Sequence, residues 1–371
     1  MNMDKKFLAT TFTLTGAIIG AGILGLPFVF AKSGFLIGLF WLFIIGTLMI
    51  FVNLCLAEVT LRTPGFHQLP GYARKYLGKK AEVIMFIGMM FGIYSALLAY
   101  LVGEGESLSK IIPGNIHPLI FGIVFWLMMT LLLHEGLKGL KKVETYGVIT
   151  IIIIVLGIFV KFLPQMKTAN LITANFSHMA SPIGVVLFSL LGFVSVPELR
   201  REIKGSEKKL KKAIIIGTLI PITLYILFSS IFIGILGKEV TEVATLSFGN
   251  IMTLLGIFTM LTSYLALSFS LRNVYRGDLN LSHGQTFFLA ALTPLILYIL
   301  ISIFNLVSFS KILGIGGVIS GGITAILILL IAKKAKTKTR GKQPEIKMPL
   351  SWTLILIIST MFIVGIVLEF L

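Results

Sequence analysis

Long apolar runs, parted by short basic or glycine- and proline-bearing stretches, set the pattern of this 371-residue chain. A helix that crosses a bilayer needs about 20 mostly apolar residues. Eleven runs meet that need: 7–30, 34–60, 82–103, 116–134, 143–163, 180–198, 212–236, 245–271, 286–305, 310–332 and 350–370. Those at 34–60 and 245–271 are longer than one crossing, so part of each is expected to tilt or to project into water. The predicted fold is all-α and polytopic, with eleven transmembrane helices. The first run follows Lys5 and Lys6 as a signal peptide would, yet it continues for a full span with no small-residue cleavage site and reads as a retained helix.

Composition agrees with the pattern. Hydrophobic residues make up 56% of the chain and charged ones only 13%, against about 25% charged in soluble domains. A soluble enzyme of this size could not bury so much apolar surface. A net charge of +17 raises the question of nucleic acid. Its distribution answers it. With the N-terminus inside, 26 of the 32 Lys and Arg residues lie in six inner segments; Lys32, Lys110, Lys161, Lys167, Lys238 and Lys311 lie outside. Inner loops of membrane proteins carry such an excess. The expected placement is the plasma membrane, with a cytoplasmic N-terminus, an extracellular C-terminus and no nucleic-acid partner. Cys55, the one cysteine, sits inside a span and excludes a disulfide framework. No metal-ligand spacing, Ser-His-Asp order or phosphate loop is present, so neither an enzyme nor a bound cofactor is expected.

The first run is unusual. Gly16, Gly20, Gly22 and Gly25 fall within ten residues, and Pro27 follows. Each glycine inside a helix costs roughly 1 kcal/mol against alanine. The sixth run carries the same spacing: GILGLP from Gly22 to Pro27 and GFVSVP from Gly192 to Pro197 stand 170 residues apart. Later runs roughly keep that offset. Spans one to five (1–165) and six to ten (166–332) therefore read as two copies of a five-helix unit, inverted because five is odd. A short, basic and disordered loop (333–349) and an eleventh helix (350–371) complete the chain. Paired interrupted spans of this kind point to a transport site. A broken helix frees N–H and C=O groups that hydrocarbon does not tolerate unless they line a cavity. Freed N–H groups at a helix start suit an anion; freed carbonyls suit a cation.

The stretch TGAIIGAGILGLPFVFAKSGF resembles the first helix of the aromatic/hydroxy amino-acid permease branch of the amino acid–polyamine–organocation superfamily. LFSLLGFVSVPELRREIKG is similar to that superfamily's sixth helix, LTSYLALSFSL to an eighth-helix Thr-Ser motif, and LRTPGFHQLPGYARKYLG to the loop after helix two. The resemblance implies a leucine-transporter-like five-plus-five inverted repeat with helices one and six unwound around an amino acid. It places the substrate carboxylate at Gly20, Ala21 and Gly22, and the amino group at carbonyls around Phe188, Ser189 and Leu190. Gly192 would allow the second break, and Phe193 would pack near the side chain. A third-helix tyrosine, either Tyr94 or Tyr100, would help hold the substrate unless both are packing aromatics.

In sodium-coupled proteins of that fold an ion sits between helices one and eight. The matching oxygens are the carbonyls of Gly16, Ile19 and Thr259 and the hydroxyls of Thr262 and Ser263. The opposing reading is that Thr and Ser only bond back along their own helix. A proton is the other candidate ion, and it would need an ionisable group at depth. Glu58 and Glu106 are the proton or gating candidates, with exposed interfacial carboxylates as the alternative; Glu104 reads more simply as such a carboxylate. No acid or base lies mid-span in helices one, three, six or eight, so a neutral amino acid is the expected substrate. Ile18, Phe188 and Phe193 would favour an apolar or aromatic side chain. A cation-coupled symporter follows; the alternative is a nontransporting amino-acid sensor on the same fold.

Overall fold

A computed structural model describes residues 3–135, 140–339 and 343–370, and among these no strand is formed. The first predicted span is two helices, α1 (Met3–Ile18) and α2 (Gly22–Ser33), bent by 56°. Gly34, with φ of +88°, turns the chain into α3 (Phe35–Arg62). A Cβ there would lie 2.6 Å from the Cα of Ala174, so the turn needs glycine twice over.

The stretch expected as loop after α3 contains a further helix, α4 (Leu69–Leu77). Leu69, Tyr72, Ala73 and Tyr76 recur at one-face helical spacing and are all buried, which explains why it forms. α5 (Lys79–Ile111) extends the predicted 82–103 by eight residues at its far end, where Glu104 and Ser107 remain inside the protein. The helices that follow are α6 (Pro118–Glu135), α7 (Leu140–Phe162), α8 (Pro182–Ser189), α9 (Val196–Glu202) and α10 (Leu210–Leu236). α11 (Asn250–Asn273) starts five residues later than predicted, because Ala244–Phe248 form a 3-10 turn ended by Gly249 at φ +82°. α12 (His283–Phe304), α13 (Phe309–Lys338) and α14 (Trp352–Phe370) close the chain.

Nine helices among the described residues are long and apolar enough to cross a membrane, ten if α1 and α2 count as one span; Pro118–Leu133 of α6 is shorter. Burial sorts them. Within Pro182–Glu202, which holds α8 and α9, 78% of the apolar window is buried, against 11% within Val148–Gln165, which covers most of α7. The α8–α9 span is thus central and α7 peripheral. Exposed Ile153, Val160, Ile303 and Leu356 lie on peripheral helices, where acyl chains replace water. The chain is a multi-pass membrane protein.

The basic ends converge on one face. Lys6 donates to the Lys204 carbonyl (2.7 Å), Arg200 to that of Thr63 (3.3 Å) and Lys338 to that of Lys75 (3.3 Å). At this face the expected disordered loop is corrected in its described part. Residues 333–338 continue α13, and the irregular stretch from Gln343 onward is held by side chains: Lys333 donates to the Leu350 carbonyl (2.9 Å) and Lys336 to that of Met348. Glu58 is the centre of this arrangement. Its carboxylate, 1% exposed, meets Arg62 Nε at 2.8 Å and Lys336 Nζ at 3.2 Å, and accepts the Met348 N–H at 2.9 Å.

Removing one partner of a buried ion pair costs about 3–5 kcal/mol because it strands the others. Glu58→Gln is expected to lower the thermal midpoint of the purified protein. It should also speed thiol labelling of buried Cys55, one turn away on α3. Unchanged labelling would mean that the face holds without Glu58.

The paired helix breaks

Between α1 and α2 the helical ladder is missing: no described bond joins the N–H groups of Gly20, Ala21 and Gly22 to the carbonyls of Gly16, Ala17 and Ile18. Ile23 and Leu24 turn back instead to Gly20 (3.4 Å) and Ala21 (3.0 Å). Unpaired backbone groups away from water cost several kcal/mol each. Two tyrosines from other helices take up one group on each side of the break. Tyr100 of α5 accepts the Ala21 N–H at 3.1 Å. Tyr225 of α10 donates to the Ile18 carbonyl at 2.9 Å. Both rings are buried.

The second break repeats the arrangement. α8 ends at Ser189, the N–H groups of Leu190 and Leu191 fold back to Leu187 (3.3 Å) and Phe188 (3.2 Å), and Phe193–Ser195 form a 3-10 turn. α9 then restarts with Pro197 in its first turn, where no N–H is needed. Its open carbonyl is that of Ser189, and it too lies 2.8 Å from the Tyr225 hydroxyl. One phenol thus ties the C-terminal ends of α1 and α8 together.

The breaks press on each other. A Cβ on Gly22 would lie 2.5 Å from Ser189 Cα, and one on Gly192 would lie 2.7 Å from Ile18 Cγ1. Small residues here allow backbone-to-backbone approach. The structure therefore brings together Ile18, Gly20, Ala21, Gly22, Ser189, Gly192 and Tyr100. Phe188 and Leu190 share the break by backbone, but Phe188 packs toward Gly316 and Gly317 of α13 and Leu190 toward Gly46 of α3. Phe193 is buried in the 3-10 turn. Tyr94 lies apart: it donates to the Leu289 carbonyl (2.7 Å) and pairs with Tyr275 (2.8 Å). A cavity of about 150 Å³ beside Lys32, Lys311 and Glu369, at the far end of α2, touches none of the break residues.

The hydroxyls near the expected cation oxygens donate along their own helix, which leaves their lone pairs open. Thr262 donates to the carbonyls of Phe258 (3.1 Å) and Thr259 (3.0 Å), and the Thr259 hydroxyl donates to Leu255 (2.8 Å). Ser263 adjoins the Tyr100 hydroxyl. The carbonyls of Gly16 and Ile19 carry no described backbone bond. Glu58 lies at the basic face within its ion pairs, far along α3 from the breaks. Glu106, at the far end of α5, stands near Glu242. Tyr225 had no motif to mark it; the one available signal was a hydroxyl deep in the apolar run after Pro221.

Spans with two facing breaks define a membrane protein that turns open backbone groups inward, as solute carriers do. Residues 3–262 match the tryptophan/tyrosine permease family, and the chain belongs to that family. It is 26% identical to the tyrosine-specific transport system 1 of Haemophilus influenzae over 243 residues, covering 63% of this chain and 59% of that protein. Similarity to the low affinity tryptophan permease of Escherichia coli reaches 25% over 382 residues, with 92% and 90% covered. The glutamine transporter 2 of Aliivibrio fischeri is 23% identical over 316 residues, with 79% and 81% covered. The chain spans 59% and 60% of the length of the two Haemophilus tyrosine transport proteins.

Two substitutions test the breaks. Gly22→Val is expected to part α2 from Ser189 and abolish amino-acid binding; unchanged uptake would remove the break from the site. Tyr225→Phe leaves two buried carbonyls without a donor, at about 1–3 kcal/mol for an unsatisfied buried group. A lowered thermal midpoint in detergent is the expected result.

Proposed function

We propose that the protein is a secondary active transporter of neutral amino acids, with the two breaks as its substrate site. The observation that carries this reading is the polarity of the two tyrosines. Tyr100 accepts from an N–H at the start of α2, where an amino acid's carboxylate would accept. Tyr225 donates to the carbonyls that end α1 and α8, where its ammonium would donate. A zwitterion can replace both hydroxyls with each backbone group kept satisfied. Among the described residues no charged side chain is bonded to a break residue, and the packing of Ile18 and Phe193 suits an apolar or aromatic substrate side chain.

The rest of the chain fits the same reading. Counting α1–α2 and α8–α9 each as one span, and α6 as a short one, gives eleven. The first ten form two inverted five-helix copies, with a break in the first helix of each. The convergent basic ends face the cytoplasm, and the C-terminal end of α14 faces outward. Alternating access exposes the breaks to each side in turn, driven by a cation. Sodium would use the oxygens of Gly16, Ile19, Thr259, Thr262 and Ser263; a proton would use a carboxyl group of the spans.

The test is uptake of labelled tyrosine, tryptophan and glutamine into proteoliposomes under a sodium or a proton gradient, imposed separately. Concentrative, saturable uptake of at least one, outcompeted by neutral and not by charged amino acids, is expected. Binding without uptake under either gradient, or better competition by lysine or glutamate, would overturn the reading.

A further inference from the structure

Among the described acidic side chains of the spans, Glu104 has the least compensated surroundings. It is fully buried on α5, and neither carboxyl oxygen has a hydrogen-bond partner. It lies one turn beyond Tyr100 at i+4, so it shares the face of α5 whose hydroxyl receives the Ala21 N–H. One turn further on, the Ser107 hydroxyl is likewise buried without a partner. The adjoining Gly103 sits against Met260 of α11 and Phe309 of α13, and the adjoining Gly105 against the Pro118 carbonyl and the Tyr298 hydroxyl.

Among the described residues, no cation of the surrounding elements pairs with it. On α5 itself, Lys110 donates to the Leu246 carbonyl, and Glu106 faces Glu242. α11 bears no charged side chain from Asn250 to Leu271. Tyr298 of α12 turns its hydroxyl to the Pro118 carbonyl (3.2 Å). Lys311 of α13 is paired with Glu369 of α14 (3.4 Å). His117, just before α6, accepts the Leu119 N–H. The basic residues of α4 and of the last turns of α13 belong to the opposite, basic face. Glu58, the other buried acid among the described residues of the spans, has two cations beside it and stays compensated as an anion.

We infer that Glu104 is the site that binds and releases the coupling proton. A fully buried carboxylate with no hydrogen-bond partner is costly, and one proton removes the charge with no further ligand; a sodium ion would need several more oxygens around it. Loading forms one O–H bond on the carboxyl group as a hydronium ion on one side gives up a proton and becomes water, and release breaks that bond as water on the other side takes the proton. The helix that carries Glu104 also carries Tyr100, so the acid's charge state and the occupancy of the first break bear on one rigid element. The inference rests on the transport reading above.

The experiment compares wild type with Glu104→Gln, Glu104→Asp and Glu106→Gln in proteoliposomes, using labelled tyrosine. Two quantities are read: accumulation under an inside-alkaline pH gradient, and exchange against preloaded tyrosine without a gradient. Glu104→Gln is expected to lose accumulation at least tenfold while exchange stays within threefold, Glu104→Asp to recover part of the accumulation, and Glu106→Gln to keep it. Wild-type accumulation in Glu104→Gln would overturn the inference. So would loss of both accumulation and exchange in Glu104→Gln with no recovery in Glu104→Asp, which marks a structural carboxyl. Wild-type exchange with accumulation driven by sodium alone would overturn the proton and keep the transporter. Absence of exchange and of accumulation in the wild type would overturn the transport reading, and the inference with it.

Discussion

A helix cannot stop inside a bilayer unless something else meets its open backbone groups, and that constraint organises the centre of this protein. The Tyr225 hydroxyl, its single hydrogen shared between the carbonyls of Ile18 and Ser189, answers it for two helices. Tyr100 answers it for the N–H of Ala21. Both tyrosines come from helices outside the broken pair. α5 and α10 must therefore pack around the breaks before α1–α2 and α8–α9 can hold their shape. The glycines are the complement of that arrangement: Gly22 and Gly192 remove the side chains that would hold the two breaks apart.

The same constraint links structure to proposed function. A hydroxyl can give and take a hydrogen bond, so it can occupy either end of a site built for a zwitterion. Tyr100 stands where an acceptor is needed and Tyr225 where a donor is needed. A ligand with a carboxylate and an ammonium on one carbon meets both needs together, whereas one with a single charged group would leave half of the break open. Buried groups left unpaired in this way reject a ligand more strongly than a loose apolar pocket can.

Much of this was legible in the sequence. The eleven apolar runs all fall on helices, and the Gly and Pro spacing located both breaks to within a residue or two, because glycine and proline act on the backbone they belong to. Side-chain partners were less legible, since they depend on which helices meet. Tyr94 and Tyr100 were equal from spacing, and packing sends one to Tyr275 and Leu289 and the other to the break. Tyr225 carried no local pattern at all. For the acids, position along the span was a poor guide. Glu58 looked like an interfacial carboxylate and is buried between Arg62 and Lys336; Glu104 looked blander still and is buried with no partner. The short helix α4 was visible as Leu69, Tyr72, Ala73 and Tyr76 at helical spacing, but nine residues are too few to register as a span.

The most direct measurement is competition against labelled tyrosine bound to the purified protein, by tyramine, which lacks the carboxylate, and by 3-(4-hydroxyphenyl)propionate, which lacks the ammonium. If the two tyrosine hydroxyls hold the places of those groups, neither compound displaces tyrosine at concentrations where unlabelled tyrosine does so fully. Displacement by either one at the same concentration as tyrosine would contradict a site built from the paired breaks.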